Sequence, residues 1–112
     1  MKLPTIIDAL HLKVNTEGLD VTQDVTGVYV SDLLSDVLAH AQEGDIWITL
    51  QGHPNVVAVA TMKDLCGIIL VNSRVPETET LARAQDENMP IFTSEESSYR
   101  VAGQLFQIME EG

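Results

Sequence analysis

The sequence predicts an α/β fold: a layered α/β/α domain built on a mostly parallel sheet of about five strands. Three observations predict it. Two short runs, Ile46-Trp47-Ile48-Thr49-Leu50 and Ile68-Ile69-Leu70-Val71, are apolar and rich in β-branched residues. They lack the polar alternation of a half-exposed strand, which is the pattern of strands covered on both faces. The 17 residues between them suit a crossover helix and are far too many for a hairpin. Helical and extended patterns then alternate to the C-terminus, as in a parallel sheet with helices on both faces.

Each element has its own signal. Residues 4–10 predict a short helix, with Ile6, Ile7 and Leu10 on one face. Leu12 and Val14 alternate with Lys13 and Asn15, the period of a half-exposed strand, and Thr16-Glu17-Gly18 forms a turn. Residues 25–30 predict a strand, in which Gly27 marks a bulge or a close backbone approach. These two early strands are expected to form an antiparallel edge. Ser31 is the expected cap of a helix over residues 31–41, whose inward stripe is Leu33, Leu34, Val37, Leu38 and Ala41.

The central crossover opens at Gly52-His53-Pro54, where proline suits a first helical turn, and runs over residues 55–64. It is apolar nearly all round, whereas a helix on the outside of a sheet needs only one apolar stripe. Val56, Val57, Val59 and Ala60 are therefore the candidate interface of a homodimer. A further helix over residues 77–87 turns Leu81 and Ala84 inward. Asn88 suits the left-handed position that ends it, and Pro90 stops continuation. Residues 91–93 are the last strand. Thr93-Ser94-Glu95-Glu96 matches a capping box for a final helix carrying Ala102, Leu105, Phe106 and Met109.

At 112 residues the chain is one domain, 45% hydrophobic, with an aliphatic core expected from its few aromatics. Its 6 Lys and Arg against 17 Asp and Glu give a net charge of −11, which repels nucleic acid and anionic membrane surfaces. No run is long enough to span a membrane and the first residues do not start a signal peptide, so the cytoplasm is the expected compartment. The single Cys66 reads as a small buried hydrophobe beside a strand.

Ligands of open parallel sheets bind beyond the carboxyl ends of the strands. Along that rim there is no phosphate loop, no dinucleotide fingerprint, no metal-ligand spacing and no receiver-type aspartate cluster. No cofactor is expected. What the rim offers is Thr49, Gln51, Gly52, His53 and Asn55 at a helix start, with Asn72 and Arg74 leaving the next strand. A helix amino end can hold an anion, and an arginine fork can join it. The same residues also read as turn chemistry and surface charge.

Three stretches carry a family resemblance: Val25-Thr26-Gly27-Val28-Tyr29-Val30-Ser31-Asp32-Leu33-Leu34-Ser35-Asp36-Val37, then Gly44-Asp45-Ile46-Trp47-Ile48-Thr49-Leu50-Gln51, and Gly67-Ile68-Ile69-Leu70-Val71. Together they resemble small stand-alone DRTGG-domain proteins, whose domain is similar to the N-terminal domain of HPr kinase/phosphorylase. It also serves as an accessory module in some CBS-domain pyrophosphatases and phosphate acetyltransferases. The resemblance implies a layered α/β domain, self-association and a regulatory or assembly role, with no catalysis by the module. The naming motif departs: Gln51-Gly52-His53-Pro54-Asn55 stands where many members have Gly-Asp-Arg, and Asn72-Ser73-Arg74 where they have Thr-Gly-Gly. The leading expectation is a non-catalytic, self-associating module that senses a small anionic metabolite or nucleotide. Two alternatives are a small enzyme using residues 51–55 and Arg74, with His53 as acid or base, and an adaptor for a larger protein partner.

Overall fold

The computed structural model describes residues 1–111. Its elements are α1 (Leu3–Ala9), β1 (Lys13–Val14), β2 (Gly27–Val30), α2 (Leu34–His40), β3 (Asp45–Thr49), α3 (Asn55–Met62), β4 (Gly67–Leu70), α4 (Thr78–Glu87), β5 (Ile91–Thr93) and α5 (Ser98–Glu111). The sheet order is β1-β5-β4-β3-β2. Strands β2 to β5 are parallel and β1 is antiparallel to β5. The fold is thus the expected α/β class with a mostly parallel five-stranded sheet. The two early strands, however, do not pair. They occupy opposite edges, because the chain between them crosses the width of the sheet.

Each crossover steps one strand in the same direction, so α2, α3 and α4 share one face. There Val37, Val56, Val57, Val59, Ala60 and Ala84 pack with Trp47, Ile68, Leu70 and Ile91. Alternate strand residues serve the other face, where Ile46, Ile48, Ile69, Val71 and Phe92 meet α1 and α5 through Leu3, Ile6, Val101 and Leu105. The two apolar runs are buried on both faces, as their lack of alternation predicts.

The central crossover corrects one expectation. Val56, Val57 and Ala60 have no exposed surface and Val59 almost none. Flanked by α2 and α4 and seated on the sheet, α3 meets neighbours on three sides. At these four positions the surplus apolar surface is core, not dimer interface, while Ala58 and Met62 stay exposed.

Helix ends show how local chemistry and packing divide the work. Asn88 ends α4 at φ 55, as expected. His11 and Asp64 take the same left-handed conformation after α1 and α3. In each case the next residue's N–H reaches back to the last turn: Leu12 to Ile7, Leu65 to Ala60 and Met89 to Ala84. Two amino ends differ from expectation. Helix α2 starts only at Leu34; Ser31 Oγ accepts from Leu33 N, leaving Leu33 63% exposed and Leu38 at the surface. Helix α5 starts at Ser98, capped by Ser97 through Arg100 N, while Thr93 Oγ1 donates instead to Asn15 across the β1–β5 pair. Val101, rather than Phe106, joins Leu105 in the buried stripe of α5.

Gly27 is a close approach: a Cβ there would run into the Asp45 carboxylate opposite it. Cys66 is buried, donates its thiol proton to Asp24 O, and has its pKa raised by burial and then by nearby Asp45.

A polar clasp ties edge strand β2 to α2. Tyr29 Oη donates to Asp36 Oδ2 at 2.8 Å, and His40 Nδ1 lies 3.1 Å from Asp36 Oδ1. The Tyr29 bond first, then Ser31 and His40, holds the Asp36 carboxyl below its ordinary range, and raises Tyr29 in turn. A depressed carboxylate pKa stabilises the fold above the unfolded value, and that contribution is lost as pH falls through the folded value. Tyr29→Phe is therefore expected to raise the Asp36 pKa in an NMR titration. It is also expected to flatten the loss of stability below about pH 4.

Candidate functional site

The first turn of α3 bonds largely to itself. His53 Nδ1 accepts from Asn55 N, Val56 N bonds His53 O, and Val57 N bonds Pro54 O. The N–H groups that would hold an anion are already occupied. Thr49 is buried, its hydroxyl donating to Asp32 Oδ1 at 2.9 Å and accepting from Gln51 N. The same Asp32 oxygen accepts from Leu50 N, and Gln51 Nε2 reaches Asp32 O. Asp32 thus organises the end of β3, a long-range role that no local pattern around it signals. Gly52 O accepts from Glu77 N and Thr80 Oγ1, and a Cβ on Gly52 would lie 2.8 Å from Val75 O. The 51–55 loop is docked onto the start of α4.

An open cleft of about 530 Å³ lies elsewhere on the rim, bounded by the ends of β4 and β5 and the start of β1. Because β1 runs antiparallel, its amino end lies beside the carboxyl end of β5, with Lys13 opposite Thr93. The left-handed stop of α1 at His11 delivers that residue to the same place. From the other side comes Arg74, after Asn72 and Ser73 at φ 61 and φ 58. Those two residues are bonded to the β5 side through Asn72 N to Glu96 O and Ser73 N to Ser94 O.

The cleft therefore gathers His11, Lys13 and Arg74, with Ser73, Ser94 and Gln104 as neutral polar groups and Glu95 and Glu96 as acids. Among the described residues, neither Lys13 nor Arg74 has a carboxylate within 4.0 Å. Two of the six Lys and Arg of a chain of net charge −11 thus line one concave site, with Glu95 and Glu96 on the same lining but not paired to them. Of the seven residues nominated from sequence, the cleft keeps Arg74. Thr49, Gln51, Gly52, His53, Asn55 and Asn72 do not line it.

Structural comparison finds this fold in the CBS and DRTGG domains of the regulatory region of Clostridium perfringens pyrophosphatase, a structure complexed with the activator diadenosine tetraphosphate. The TM-score is 0.69 at 18% identity, over 92% of this chain and 45% of that one. What the two share is the fold. This chain spans under half the length of the regulatory region it matches. No protein-family model and no curated protein matches the sequence.

The cleft lip carries backbone strain. Consecutive left-handed residues without glycine are costly, at roughly 1–2 kcal/mol each, and Asn tolerates the conformation better than Ser. Ser73→Gly is expected to raise stability by about 0.5–1 kcal/mol in chemical denaturation, by relieving φ 58.

Among the described residues no group of three or more His, Cys, Asp or Glu converges as a metal site, and no helix is long and apolar enough to cross a membrane.

Proposed function

We propose that the protein is a non-catalytic, DRTGG-like regulatory domain that senses a small phosphorylated metabolite in the cleft between β4, β5 and β1. The observation that carries this reading is the convergence of His11, Lys13 and Arg74 in one open cleft, with Lys13 and Arg74 free of carboxylate partners. An arginine fork binds phosphate oxygens two at a time, and a lysine adds a mobile point charge. Glu95 and Glu96 would oppose a bare anion, but carboxylates accept hydrogen bonds from sugar hydroxyls. A ligand with phosphate at one end and hydroxyls at the other fits both signs, and nucleotides are such a class. The Clostridium perfringens regulatory region, part of which shares this fold, is complexed with a nucleotide activator, which supports this choice.

The test is thermal unfolding of the intact chain with ATP, AMP, diadenosine tetraphosphate, a sugar phosphate and inorganic phosphate. A ligand at 100 times its Kd stabilises by about 2.7 kcal/mol. For a domain near this size, that is an increase in Tm of roughly 10 °C or more. A saturable shift with nucleotides, and a weaker one with inorganic phosphate, is the expected result. A flat response across the panel would overturn the sensing role.

A further inference from the structure

We infer that the exposed face of α5 docks a second copy of this chain, in an antiparallel helix pair about a two-fold axis. Val101 and Leu105 turn α5 toward the sheet. The opposite face presents Tyr99, 87% exposed, and Phe106, 69% exposed, in a chain with five aromatics in all. Tyr99, Gly103, Phe106 and Glu110 follow one another at spacings of four, three and four, the repeat of a helix–helix seam.

Gly103 has no role inside the subunit. A Cβ there would meet nothing within 4 Å, so no close approach of this chain requires glycine. A glycine inside a helix is destabilising relative to alanine, and here the vacancy faces outward.

The seam is self-complementary. A two-fold axis midway between Gly103 and Phe106 sets each Phe106 over the Gly103 of the second copy, a large side chain against an empty position. The same axis sets Tyr99 opposite the second copy's Glu110, where a phenol can donate to a carboxylate, and brings Arg100 one position away from it. An isologous contact needs this mirrored match. Two copies of net charge −11 repel over most of their surface, but the middle of the seam, Gly103 and Phe106, is uncharged, and Glu110 at its end meets the second copy's Arg100. No seam residue lines the cleft, so this inference stands apart from the ligand reading.

Sedimentation velocity of the intact chain over a concentration series tests it. The wild type is expected to be a dimer at micromolar concentration. Phe106→Ser and Gly103→Leu, both at exposed positions, are each expected to weaken the dimer at least about a hundredfold while far-UV circular dichroism stays unchanged. Arg100→Glu is expected to weaken it, and adding Glu110→Arg to restore it. Ten residues of helix separate the two in one chain by about 15 Å, so the rescue reports a contact between copies. A wild type that is monomeric at about 100 μM, weaker than any stable self-association, would overturn the inference. So would a dimer that survives either Phe106→Ser or Gly103→Leu, or a charge swap that fails to restore it.

Discussion

Val57→Glu is expected to leave no stably folded protein. Val57 is fully buried, in the cluster that joins α3 to Trp47, Ile68 and Leu70. Arg83 lines the opening beside Val57 together with Asp86 and Glu87, so a carboxylate placed there meets two acids for one cation and gains no net compensation. An unpaired buried charge takes up a proton or unfolds its surroundings. Either course costs more than about 4 kcal/mol, a large part of the 5–15 kcal/mol that holds a typical domain together. Circular dichroism and a thermal scan would show a lost or strongly lowered transition. A Val57→Glu protein that stayed folded and merely dissociated would instead make α3 an interface, as its composition alone suggests.

Arg74→Ala is expected to cut the ligand-induced rise in Tm to about half or less, and to leave the unliganded Tm nearly unchanged. The side chain is exposed and makes no ion pair among the described residues, so the fold does not lean on it. Losing charge-assisted bonds of about 1.5–3 kcal/mol weakens binding roughly 10- to 100-fold. Arg74→Lys keeps the charge without the planar fork and is expected to retain a reduced shift. His53→Ala is the informative control. Its imidazole is already bonded to Asn55 N, so its removal should leave ligand affinity intact. A shift undiminished in Arg74→Ala and lost in His53→Ala would return the site to the start of α3.

Local chemistry made most of the secondary structure legible. Unbroken β-branched runs marked β3 and β4 because a strand covered on both faces has no reason to alternate. Asn88 and Pro90 marked the end of α4 because few residues tolerate a left-handed backbone and proline cannot extend a helix. Local chemistry failed where two neighbouring groups compete for one role. Ser31 and Thr93 are good caps in isolation, yet Ser31 bonds to Leu33 N and Thr93 to Asn15. Phe106 and Val101 each fit an inward stripe of α5, and only the way the helix lies on β2 and β3 selects Val101.

The sequence by itself determined the class of the fold, the order of its elements and the aliphatic make-up of its core. These follow from periodicity and turn chemistry within a few residues. The tertiary structure alone decided which strand lies beside which, that the apolar surplus of α3 is covered by α2 and α4, and where the cations meet. His11 and Lys13 reach Arg74 only because β1 pairs antiparallel with β5, placing Lys13 opposite Thr93. That pairing joins chain segments far apart in sequence. It depends on how the whole sheet closes at its edge, a long-range balance of packing to which no short stretch of residues responds.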